Sequence, residues 1–153
     1  MVERILLYER RGNMINKYND IFVVYKDYIE DNSMYSPQVE KEYNPGAIKF
    51  PFISCKYSNT IDTDESSIDK IEYYTQEYLT IDIYTKNKNV SGTLVSSTTI
   101  NDELIKLTIQ FFNSLNIKRT SCKPNLNLDT DIKRTTIQYQ FMVGNVRGNI
   151  IRR

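Results

Sequence analysis

Residues able to do chemistry are few and scattered. The 153-residue chain has no histidine, which removes the commonest general base, the Ser-His-Asp and Cys-His arrangements and most zinc sites. Cys55 and Cys122 are far apart in sequence and lack metal-ligand spacing, so they read as small buried hydrophobes or free thiols. Carboxylates pair at Asp62 and Asp64 and at Asp129 and Asp131, both in polar stretches where solvated loop acids are expected. Residues 59–69 have the acid density of a cation loop but lack the glycine and terminal glutamate of an EF-hand, so a solvated connector is expected. Asp82 sits within an apolar alternation, where a carboxylate facing Lys or Arg across a sheet is the expected arrangement. No phosphate-cradling glycine loop, HExxH or GxSxG motif is found. The residue types argue against an enzyme and call for no cofactor or metal.

Charge is distributed unevenly. Residues 1–117 carry 12 Lys and Arg against 17 Asp and Glu, whereas residues 118–153 carry 8 against 2. The basic strip contains Lys118, Arg119, Lys123, Lys133, Arg134, Arg147, Arg152 and Arg153. It suits a nucleic-acid surface or an electrostatically matched neighbour, including the acidic half of a second copy. Tyr139 and Phe141 interleave with it as a base-stacking platform would. They share a strand face with Ile137 and Val143, however, so they are expected in a core, with Arg134 and Gln138 on the opposite face. Twelve tyrosines and six phenylalanines without tryptophan suit half-buried strands and subunit interfaces.

These residues need elements to hold them. Leu79, Ile81 and Ile83 alternate with Tyr78, Thr80, Asp82 and Tyr84 over residues 76–85, the pattern of a strand with one buried face. Residues 134–143 repeat the design, which predicts a partner strand within 132–143. A helix is expected from residue 16, with Tyr18, Ile21, Phe22, Tyr25 and Ile29 on one stripe. Residues 31–46, with Pro37 and Pro45, read as an irregular connection lying across a neighbouring surface or mobile. A strand from Phe50 through Tyr57 forms a long hairpin with 76–85, and Lys86 to Asn89 is its turn exit. The strongest helix carries Ile100, Leu104, Leu107, Phe111 and Leu115, widened by Ile105 and Phe112. Its start is expected at Thr98 and Thr99, with Asp102 and Glu103 in the favourable N-terminal turn and Asn116 as the left-handed C-terminal residue. A strand at 117–121, a loop at 122–131 and a short last strand or tail after Gly144 complete the order. This is α+β: an antiparallel sheet of about four to five strands packed by an N-terminal helix and a central amphipathic helix.

Residues 1–13 stand apart as an extension, and the purine-rich codons expected for residues 9–12 make Met14 an alternative start. Residues 14–153 form one domain, which can bury a core without disulfides. No apolar run nears the roughly 20 residues of a membrane span, and the first residues lack a signal-peptide pattern. Manufacture in the cytoplasm and no membrane partner are expected.

The layout resembles the tail terminator (tail completion, neck) proteins of tailed bacteriophages. The resemblance rests on 50–53 with Pro51, 57–60, 77–85, the helix 100–115 and 132–139, and covers about residues 14–147. It implies a virion structural protein, not an enzyme: a ring, usually hexameric, that caps the last ring of the tail tube, stops its growth and meets the head–tail connector, with sheath protein a further neighbour. The genome passes through the ring, so Arg134, Arg147, Arg152 and Arg153, and less strongly Arg119, are expected to face the lumen or pair with acids of the adjacent subunit. Tyr78, Thr80, Asp82 and Tyr84, with the outer face of 134–142, are expected on a subunit contact or channel wall. Another neck or head-completion subunit, or a nucleic-acid-binding regulatory domain, are the alternatives. The abundance of Lys, Asn and Ile suggests an AT-rich host.

Overall fold

A computed structural model describes residues 17–42, 48–61, 67–68, 71–72, 74–126, 129–144 and 150–151. The extension 1–13, Met14, the acids Asp62, Asp64 and Glu65, and Arg147, Arg152 and Arg153 lie outside the described residues. The elements are α1 (Lys17–Asn32), β1 (Gln38–Glu40), β2 (Phe52–Ile61), β3 (Ser67–Ile68), β4 (Ile71–Glu72), β5 (Tyr74–Thr85), β6 (Lys88–Val90), β7 (Thr93–Val95), α2 (Ser97–Ser114), β8 (Lys118–Asn125), β9 (Lys133–Gly144) and β10 (Ile150–Ile151).

Two long strands make the spine. β5 and β9 run antiparallel over their whole length, from Tyr74 opposite Gly144 to Thr85 opposite Lys133. β2 flanks β5, and β8 and β10 share the other edge of β9. The fold is α+β, as the sequence predicts, but the main sheet has six strands and is mixed. Its parallel member is β1, which places Gln38 opposite Phe52. That strand arises within the stretch expected to be irregular, where Val39 is buried in the core. β6 and β7 form a small hairpin where only a turn exit is expected, with Ser91 and Gly92 at positive φ. β8 runs on through Pro124 to Asn125, into the expected loop. Proline fits there because, among the described residues, β8 has a partner on one side only.

Period-2 alternation sends Ile53, Cys55, Leu79, Ile81, Ile83, Ile137, Tyr139 and Phe141 into one core. α2 roofs it with Ile100, Leu104, Phe111, Phe112 and Leu115 buried. Phe112 stacks on Tyr139 with ring centroids 4.1 Å apart. α1 lies in the same layer, with Tyr25 between Phe111 and Phe112 at 5.3 and 5.4 Å. The Tyr25 hydroxyl and Thr108 Oγ1 share a buried 2.8 Å hydrogen bond, and Thr108 also donates to the Leu104 carbonyl.

The start of α2 differs from expectation. Ser96 is the N-cap, accepting from the Thr99 amide at 3.2 Å, and no acid lies in the first turn. Neighbouring hydrogen bonds fix the earlier start: Thr85 Oγ1 donates to the Ser97 carbonyl and the Ser97 amide donates to Asn87 Oδ1. At the other end Asn116 adopts φ 54°, the expected left-handed position.

Candidate functional site

The second face of the main sheet carries the candidate residues. Cross-strand register arranges it in rows, since directly opposed residues point to the same side. One row joins Phe52, Tyr84, Arg134 and Asn125, the next Ser54, Asp82, Thr136 and Lys123. A third joins Lys56, Thr80, Gln138 and Ser121, and a fourth Ser58, Tyr78, Gln140 and Lys118.

The first two rows are closed within the subunit. Asp82 is 2% exposed and Tyr84 7%. Arg134 reaches diagonally to Asp82, its Nε 3.3 Å from Oδ1 and its second guanidinium nitrogen 3.1 Å from Oδ2. The Thr136 hydroxyl donates to Asp82 Oδ1, and the Asn125 amide donates to Thr136. The guanidinium also lies 5.3 Å from the Tyr84 ring centre, and Phe52 packs against Tyr84 at 5.9 Å. Asp82 thus has the cation expected for a strand carboxylate. Charge-assisted, two-point contacts of this kind fix geometry more strongly than neutral ones.

This arrangement corrects the sequence reading. Asp82 and Tyr84 are interior residues of the subunit and do not themselves form a contact surface. Arg134 retains 33% side-chain exposure, but its guanidinium is engaged by Asp82. Tyr78 and Thr80 remain half-exposed, beside exposed Ser58, Gln138 and Lys56. They line a shallow trough of about 300 Å³ with Thr120 and Gln140. Gln76 Nε2 donates to the Tyr78 hydroxyl at 2.6 Å, setting that ring along the trough. Arg119 is exposed, but its register partner is Tyr139 on the helix-covered side, so it does not belong to this face.

Tyr139 and Phe141 are buried, as the core reading expects, and offer no stacking platform. Burial pushes the Tyr139 hydroxyl well above its ordinary ionisation range and does the same to the Cys55 thiol. Cys122 is an exposed free thiol. Asp129 and Asp131 share a turn in which the Asp131 amide donates to Asp129 Oδ1 at 3.0 Å and Lys86 Nζ lies 3.1 Å from Oδ2. These contacts, the amide first, hold the Asp129 carboxyl below the usual carboxylate range. Among the described residues no three acidic or thiol side chains converge as metal ligands.

One lysine escaped the sequence reading, and two others had no side of the sheet assigned to them. Lys56, Lys118 and Lys123 are exposed, and register places all of them on the open face. The last two stand in the basic strip, but only the pairing of β8 with β9 shows which side they take. Among the described residues no helix is long and apolar enough to cross a membrane. No protein-family model matches the chain, and no curated protein matches it.

Proposed function

We propose that this chain is a ring-forming structural subunit of a bacteriophage neck, a tail terminator that caps the tail tube and joins it to the head connector. The observation that carries the reading is the half-covered sheet. Both described helices serve one face, and among the described residues the other presents a polar shelf of Tyr78, Thr80, Gln138 and Gln140 between exposed lysines. A sheet with one solvated face is common in antiparallel folds. A shelf this broad, built on two 12-residue strands, also suits a subunit wall facing a neighbour or a lumen. The sequence layout that resembles tail terminators agrees with the α+β order described above. In this reading the protein stops tube polymerisation by occupying the last ring, and contact with passing DNA is sequence-independent.

The test is direct. Tail tubes grown with added protein should stop at shorter lengths and carry a terminal ring in electron micrographs, with purified protein alone or on tubes giving six-fold rings. Tubes of unchanged length without a bound cap would refute the proposal.

A further inference from the structure

The two layers of the molecule carry opposite charge. On the sheet's open face, the exposed charged side chains supplied by β2, β5, β8 and β9 among the described residues are Lys56, Lys118 and Lys123. Among the described residues, the acids whose register places them on that face are Asp82, buried under Arg134, and Glu40 on the short β1 at the sheet's rim. The helix layer leans the other way through α1, which exposes Asp27, Glu30 and Asp31, while α2 exposes one acid, Asp102, and one base, Lys106.

The α1 acids are arranged with apolar neighbours. At 100° per residue, Val23, Asp27, Glu30 and Asp31 fall on one stripe about 100° wide, opposite the buried Tyr25 and Ile29. Val23 is 52% exposed, and Met34, just beyond the helix end, is 71% exposed. Apolar side chains beside Asp27 and Asp31, which have no cation partner among the described residues, suit a docking stripe better than a plain solvated face, whereas Lys26 meets Glu30 at 3.8 Å. Dimensions agree as well. Val23 to Asp31 spans about 12 Å at 1.5 Å per residue. Lys56 and β8 are three strand spacings apart, about 14 Å, and Lys118 to Lys123 is about 16 Å.

We infer that the open sheet face of one copy docks on the α1 stripe of a second copy, with Lys56, Lys118 and Lys123 meeting Asp27, Glu30 and Asp31. The contact is head-to-tail, so each copy offers one surface of each kind and a series closes into a ring if the rotation permits. It places a helix over the uncovered sheet face, with Val23 and Met34 against the Tyr78 trough. The inference supplies the contact for the proposed ring and rests on that reading for its closure, not for the pairing itself.

Charge reversal tests it, read by sedimentation equilibrium at low and high salt, with circular dichroism to verify folding. All four substituted residues are exposed, so the fold should survive. K56E/K118E and D27K/D31K should each weaken self-association about tenfold or more, since like charges then face each other. The quadruple variant should recover it, and so should an equimolar mixture of the two double variants. Wild-type association should weaken with salt.

The inference is overturned if either double variant associates as the wild type does, if neither the quadruple variant nor the mixture recovers association, or if the wild type stays monomeric at all concentrations. Loss of DNA retention in K56E/K118E with unchanged self-association would overturn it in favour of nucleic acid on this face. Rings persisting in every variant would remove this contact and leave the neck reading standing. Open chains that obey the reversal pattern would keep the contact and remove the ring.

Discussion

The two faces of one sheet are built from alternate residues of the same strands, yet they follow different rules. On the helix side, Ile53, Ile81, Ile83 and Ile137 are fully buried and meet an apolar roof. On the other side, Lys56 and Gln138 stand in water beside half-exposed Thr80, while Asp82 one row away is buried and hydrogen-bonded. Stability comes from the first face through area removed from water. The second face is organised by paired polar groups, whose net contribution is small while satisfied and whose disruption is costly.

The largest effect should come from emptying the covered side. Phe112→Ala removes the ring stacked on Tyr139 and should lower unfolding free energy by about 3–5 kcal/mol in urea melts. Gln138→Ala, next to Tyr139 in sequence but on the open face, should change it by less than about 0.5 kcal/mol. A comparable loss from both would erase the distinction between faces.

Arg134→Gln comes next, because it leaves a buried carboxylate without its cation. A loss of about 2–3 kcal/mol is expected, less than for a fully buried pair since Arg134 is partly exposed. Adding Asp82→Asn should restore most of it. If the double variant is no more stable than Arg134→Gln alone, the closed end of the open face owes its burial to something other than this pair.

Much of the covered face was legible in the sequence. Alternation in residues 79–83 and the stripe from Ile100 to Leu115 both lead to buried side chains, and Asn116 marks the end of α2. The open face was less legible because its order depends on register. Asp82 lies directly opposite Thr136 and only diagonally from Arg134, a relation no local pattern contains. Exposure of Lys56 and burial of Tyr84 likewise depend on which strand lies beside which. Three-residue strands such as β1 and β6 are too short for alternation to declare itself.

The N-cap of α2 was misplaced for another reason. Residues 96–99 are four consecutive hydroxyl side chains, each a fit cap, and the contacts of Ser97 with Thr85 and Asn87 choose among them. Ser96→Ala should therefore cost about 1 kcal/mol. A smaller loss would mean that Thr98 or Thr99 takes over the cap and the helix start can slide.

The smallest expected effect concerns pH. Asp129, at the sheet end near Lys86, has a depressed folded-state value. Its contribution is thus present above the unfolded carboxylate value and is lost as pH falls through the folded one. Asp129→Asn should lower stability slightly at neutral pH and flatten the acid side of the profile, the difference from wild type vanishing as pH falls through the folded value. A difference that grew as pH fell would contradict that sign.

β9 touches more of the sheet than any other strand, with β5 along one edge and β8 and β10 sharing the other, yet of the sheet strands only β10 follows it in the chain. A ribosome therefore delivers α1, the β2–β5 hairpin and α2 well before the strand that completes their core. Until residues 133–144 emerge, β5 presents a 12-residue unpaired edge, the kind of edge that recruits other nascent chains. Timing of synthesis, as well as sequence, thus bears on how many copies reach the native state.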